Sequence, residues 1–266
     1  MTTAVTFEEQ TNVSGGATMS GRRTLRAYAI EAKYESLRML RAPSFGVIFL
    51  SIPVLIYLLF GVVIFGHALQ SDPTAAVAVF TGFAVFGIMG PAMFGFGVTI
   101  AMEREQGLLR FKRALPAPTA AYLVAKMLMA MLFAAIIMIT MGIAARFVAH
   151  VPLPAARLIG IGATNVIGVL PFCAIGLFIG AIVKGAAAPG FTNLVYLPMM
   201  YLSGLFFPLP KALAPVAPIW PAYHLNQLAL SAAGGSLPGT KTHLAVLMGV
   251  TVLFSSLALR RLRRAE

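Results

Sequence analysis

The chain is short of charge, short of acid and nearly devoid of cysteine. Charged residues are 11% and hydrophobic residues 59% of its 266 positions, where a soluble domain holds about 25% and about 45–50%. Too few charges remain to coat a globule, which excludes a soluble enzyme and a disordered chain. The single cysteine, Cys173, cannot close an internal disulfide, so a disulfide scaffold is excluded too. Set inside an apolar run, it reads as an inert small apolar residue. Only 8 Asp and Glu stand against 20 Lys and Arg, a formal net charge of +12. The acids lie at 8, 9, 31, 35, 72, 103, 105 and 266, outside every long apolar run. Ion-coupled carriers place ionisable groups at membrane depth, so a self-sufficient pump is disfavoured.

What the chain does have is long apolar sequence. Crossing about 30 Å of hydrocarbon takes about 20 helical residues at about 1.5 Å each. Six runs qualify: Ser44–Gly66, Thr74–Met102, Ala121–Val148, Leu158–Val183, Gly190–Phe207 and Thr242–Leu259. They are continuous rather than alternating, which excludes a β-barrel. The predicted fold is all-α. It is a polytopic membrane protein with six transmembrane helices, an N-terminal interfacial helix and short external helices before the last span. Residues 1–23 are polar and small, with no cleavable signal pattern, and read as a disordered cytoplasmic tail before a transmembrane domain over 24–266. From Thr24 to Arg41, Leu25, Tyr28, Ala29, Ala32, Leu37 and Leu40 lean to one side. Arg22, Arg26, Lys33 and Arg38 supply cationic heads, the pattern of a helix lying in the inner-leaflet interface.

Basic residues set the sidedness. With the N-terminus inside, 16 Lys and Arg fall on the inner side and 4 outside, namely Arg146, Arg157, Lys211 and Lys241. This bias places both termini in the cytoplasm and accounts for the net charge without a nucleic-acid partner. Gln70–Pro73 reads as a tight external turn, with Asp72 and Pro73 as turn chemistry. Glu103–Ala120 is a charged cytoplasmic loop, and Lys184–Pro189 a brief one. Pro208–Lys241 is proline-rich yet apolar and carries Trp220 and Tyr223, which suit a membrane interface. It is expected to form one or two short helices dipping into the outer leaflet, where backbone must be buried in protein or face water.

Catalytic constellations are missing. His67, His150, His224 and His243 fall at predicted external ends without HExxH or CxxC spacing, so no metal site is expected. Ser203-Gly204 lacks both a preceding glycine and a mid-span histidine to serve as its base, which argues against an intramembrane protease. Gly185 and Gly190 have the outer spacing of a phosphate loop, but Phe191 and Thr192 follow where Lys and Ser/Thr belong. The chain is therefore expected to be no enzyme and to have no catalytic residues and no cofactor of its own. Energy for transport must come from a partner.

Three motifs carry a resemblance. Glu103-Arg104-Glu105-Gln106-Gly107 follows the second run and leads to Leu115-Pro116-Ala117-Pro118. Tyr201-Leu202-Ser203-Gly204-Leu205-Phe206-Phe207-Pro208 closes the fifth, and Trp220-Pro221-Ala222-Tyr223 precedes the last. In order and topology these resemble the ABC-2 type transporter permeases, the membrane subunits of a class of ABC exporters. Leu108 stands where that family commonly has Thr, and Trp220 where it has Asn.

The resemblance implies two permease copies, or a copy and a paralogue, in a bacterial inner membrane. It also implies two cytoplasmic ATPase subunits that bind ATP and Mg. Glu103, Arg104, Glu105, Gly107, Leu108, Leu109 and Phe111 are then the candidate ATPase-coupling residues, with charge orienting the contact and the apolar side chains filling a groove. For a substrate path the candidates are Asn165, Asn193, Tyr196, Met199 and Met200. The absence of membrane-embedded charge favours a hydrophobic or lipid-linked cargo. The alternative is a membrane scaffold that transports nothing. Gly176 and Gly180 form a GxxxG expected to pack within the chain, and Pro91, Pro171 and Pro198 are expected to break their spans.

Overall fold

A computed structural model describes residues 29–30, 32–37, 43–108, 119–235 and 239–264, and every regular element among them is helical. The expected tail over 1–23 lies outside the described residues, as does most of the expected interfacial helix. Within that helix, residues 32–37 are helical.

Helix α1 (Pro43–Leu58) continues as a π-helical turn over Leu59–Ile64, and α2 (Gly66–Ser71) follows. Asp72 caps α3 (Pro73–Gly90), its carboxylate accepting from the Thr74 and Ala75 amides at 2.9 and 3.1 Å. Pro73 at the first helical position lacks an N–H that would have gone unpaired there anyway. At Pro91 the next missing N–H falls mid-span, and the ladder shifts to a π turn over Pro91–Gly95 before α4 (Phe96–Glu105) resumes it. Together Pro73–Glu105 make one 33-residue span.

Helix α5 (Thr119–Phe147) crosses back, and α6 (Ala155–Gly168) and α7 (Leu170–Ile182) form the next span. Val169 separates that pair, with Pro171 in the first turn of α7. A 3₁₀ turn over Gly185–Ala187 leads to α8 (Ala188–Leu202), and another over Ala214–Ile219 to α9 (Pro221–Ala232). Helix α10 (Thr240–Arg264) closes the described chain.

Among the described residues, four long apolar helices reach spanning length: Pro73–Glu105, Tyr122–Phe147, Ala155–Ile182 and Thr240–Leu262. The first expected span is helical over residues 43–64 through its π turn. The fifth is shorter: α8 has 15 residues, about 22 Å at about 1.5 Å each. Instead of running to Phe207, α8 stops at Leu202, and Gly204 at φ +66° turns the chain. Pro198 is the second departure from expectation, because α8 continues through it unbroken.

The core is centred on α7, which packs against α4 on one side and α10 on the other. Glycine makes the first contact possible. A Cβ on Gly180 would stand 2.2 Å from the Gly97 carbonyl oxygen, and one on Gly97 2.5 Å from that of Gly176. The GxxxG is thus an intrachain seam, as expected. Gly82 of α3 likewise seats the Leu205 carbonyl, where a Cβ would overlap it.

Helix α9 is drawn into the bundle. Its Ala222, Leu225 and Ala229 are fully buried, against α3, α6 and α10. His224 bonds the Pro218 carbonyl at 2.8 Å and lies ring to ring with His243 of α10, the Nδ1 atoms 2.7 Å apart. Arg157 donates to the Ala233 carbonyl at 3.1 Å, capping the end of α9. The bundle thus has a basic end, with Arg104, Lys126, Lys184 and Arg260, and an opposite end formed by α2, α9 and the turn after α8.

Candidate functional site

At the basic end the Glu103-Arg104-Glu105 segment occupies the last turn of α4, and its three side chains point to different neighbours. Glu103 is 3% exposed and turned inward. Its carboxylate accepts from the Tyr122 hydroxyl and pairs with Lys126 Nζ at 3.4 Å, both on α5. The same ammonium, fully buried, bonds Glu35 Oε1 of the segment before the first span. Arg104 reaches across to the end of α7 and donates to the Ala181 carbonyl and, at 2.7 Å, to that of Val183. A planar fork suits two carbonyls that a helix end leaves without partners. Glu105 is exposed on one side and lies against Gly185 on the other, where a Cβ would stand 2.5 Å from its carboxylate.

The helix ends immediately after. Gln106 and Gly107 donate back to the Met102 and Arg104 carbonyls, and Gly107 takes φ +72°, which a Cβ would oppose. Gln106 and Leu108 face outward. Leu109 and Phe111, expected to share that surface, lie outside the described residues. The segment expected as one continuous contact is therefore divided: Glu103 and Arg104 are engaged within the chain, while Glu105, Gln106 and Leu108 are accessible.

Near the opposite end a cavity of about 510 Å³ opens between α1, α3 and the end of α8. Ile56, Phe60, Phe83, Phe86, Met200 and Phe206 contribute to its wall, and no charged side chain does. Phe206 holds its ring centroid 4.8 Å from that of Phe83 and 5.3 Å from that of Phe86, offset from parallel in both cases. Such tilted pairs are favoured by the ring quadrupole. The turn at Gly204 and the seating of Leu205 on Gly82 bring Phe206 back onto α3.

The five candidate path residues do not form one surface. Met200 lines the cavity, Met199 is buried beside it, and Tyr196 stacks edgewise on Phe94 at 5.3 Å and tilts against Phe86 at 6.3 Å. Asn193 is exposed on α8 outside the cavity, with Leu194 and Leu197. Asn165 is fully buried in α6, where its amide donates to the Ile161 carbonyl at 2.9 Å. Its Oδ1 has no partner among the described residues. Sequence reasoning missed Lys126 and Tyr122, although a lysine within an apolar run was itself a signal. It also missed the phenylalanine cluster, whose members sit on three separate elements.

A polytopic helical bundle with a glycine-tight core, a charged turn at one end of its longest span and an aromatic cavity near the other is a membrane permease in outline. The ABC-2 type transporter family model matches residues 27–234, and the chain belongs to that family. It is 26% identical over 185 residues to a Bacillus subtilis (strain 168) protein, YvfS, whose name describes a transport permease. The match covers 68% of this chain and 75% of that relative. The protein is accordingly a multi-pass permease subunit.

Proposed function

We propose that this chain is the permease of an ABC exporter, moving a hydrophobic or lipid-linked molecule out of the cytoplasm. ATP hydrolysis on a separate cytoplasmic ATPase subunit, which holds the ATP and Mg, drives the movement. One observation carries the reading: a single span, Pro73–Glu105, bears the Glu-Arg-Glu turn at one end and Phe83 and Phe86 of the cavity wall toward the other. Displacement of the turn is passed along α4, through the π turn at Pro91, to the rings that touch cargo. Sub-ångström pushes are transmitted well by close-packed helices, and the glycine contacts of α4 with α7 make this seam tight.

The cavity supports the cargo class. Its volume is that of a site for a drug-sized ligand or part of a lipid, and its uncharged wall suits an apolar molecule. The positive-inside bias supports a basic end and two termini facing the cytoplasm, in an inner-membrane protein. The ATPase docks on Glu105, Gly107, Leu108, Leu109 and Phe111, while Glu103 and Arg104 hold the base of that surface. A second permease copy or a paralogue covers the outer face of α8. An amide such as Asn193 has no partner in hydrocarbon, and a protein neighbour or an aqueous path between copies would supply one.

Gentle-detergent capture of the tagged chain from its native membrane, with partners identified by mass spectrometry, tests this reading. A stoichiometric partner bearing Gly-x-x-x-x-Gly-Lys-Ser/Thr is expected. Its absence from a membrane in which such an ATPase is expressed would favour a non-transporting scaffold instead.

A further inference from the structure

We infer that Lys126 is a positioning residue for energy coupling. Its buried ammonium ties the segment before the first span to the Glu-Arg-Glu turn, so that the two move as one body when the ATPase acts. The inference rests on the permease reading above. Lys126 lies in the early part of α5, fully buried, and its Nζ meets carboxylates from two other elements, Glu35 91 residues upstream and Glu103 23 residues upstream. Glu35 and Glu103 are themselves 4% and 3% exposed, so these groups are cut off from bulk water.

An exposed ion pair can open and let water replace the partner, at little cost. A dry one cannot, because separation strands a bare charge. Apolar contacts between the three elements would permit sliding; this bond set does not. Tyr122 adds direction. It stands one helical turn before Lys126 on the same face of α5 and donates to the second oxygen of Glu103. Glu103 is thus held by α5 at two points, and Glu35 is held through Lys126. The adjacent Arg104 holds the end of α7. Force applied at Gly107–Leu108 therefore reaches α5, α7 and the segment before the first span together, rather than α4 alone.

Spin labels on Lys33 and Gln106, both exposed, test this in the permease–ATPase complex in lipid nanodiscs. Distances are read nucleotide-free and after vanadate trapping of MgATP. A second pair, Gln106 and Ile219 at the opposite end, reports the nucleotide-driven movement itself. In the wild type, the 106–219 distance should shift on trapping while the 33–106 distance keeps one narrow, unchanged distribution.

The variant Glu35→Gln/Lys126→Met/Glu103→Gln removes the buried ammonium together with the two carboxylates it meets and is expected to fold. In it the 106–219 shift should persist, while the 33–106 distribution loses its narrow form and becomes nucleotide-dependent. Lys126→Arg should keep the wild-type behaviour. A wild-type 33–106 distance that changes on trapping would overturn the inference without any variant. So would a triple variant in which that distance stays fixed. Failure of the wild-type chain to hold any ATPase would instead remove the permease reading on which the inference stands.

Discussion

The two ends of the bundle hold their elements by different means. At the basic end the bonds are few, directional and charged: a buried ammonium between Glu35 and Glu103, and the Arg104 fork on two carbonyls of α7. At the opposite end rings lean on rings, and the turn after α8 is seated by one carbonyl on one glycine. Even the shared device differs in weight. Arg157 caps α9 with a single bond to Ala233, where Arg104 makes two. Directional bonds permit one geometry, and ring packing permits several at similar energy. An end that must transmit force needs the first kind, and an end that must fit cargo needs the second.

The largest effect should come from breaking the first kind of contact. Lys126→Met removes the buried ammonium that two buried carboxylates share and should cost about 3–5 kcal/mol, read as unfolding in mixed micelles. The triple variant should recover most of that, and equal losses in both would show that packing, not charge, holds this end. Next comes the seam that joins the ends. Gly180→Val forces methyl groups into the Gly97 backbone and should cost about 1–3 kcal/mol by the same measurement.

Smaller still is Phe206→Leu, which keeps apolar area but loses the ring pairs with Phe83 and Phe86, worth about 0.5–1.5 kcal/mol. Its signature is weaker binding of a fluorescent apolar probe with ATPase capture unchanged. An unaltered probe affinity would separate the cavity from the cargo site. Least for the fold is Leu108→Ser. This exposed position should change stability by no more than about 0.5 kcal/mol while reducing ATPase recovery in the pull-down.

The chain's architecture was legible where a local physical rule decides it. Apolar length marked the four long spans, Asp72-Pro73 the turn before α3, the GxxxG the α4–α7 seam and the prolines of 208–238 a stretch of short helices, of which α9 is one. The end of α8 was not legible. Apolar residues continue to Phe207, and nothing local reveals that Gly82 of α3 makes room for the Leu205 carbonyl.

The site was legible in place but not in orientation. The Glu-Arg-Glu turn stands where its motif put it, yet which carboxylate faces inward depends on Lys126, 23 residues on, and on Glu35, a neighbour only in space. Asn165 and Asn193 looked alike in sequence because both are lone amides in apolar runs. Only the packing of α6 and α8 makes one fully buried and the other exposed.

Photo-crosslinking in native membranes tests most directly the claim that the turn at Gly107 presents its outer side to an ATPase. A photoreactive residue replaces Leu108 in one variant and Ile64, exposed toward the opposite end, in another. A crosslink is expected from position 108, and none from 64, to a chain bearing Gly-x-x-x-x-Gly-Lys-Ser/Thr. Crosslinks from 64 but not 108, or from neither in a membrane that contains such a chain, would contradict that claim.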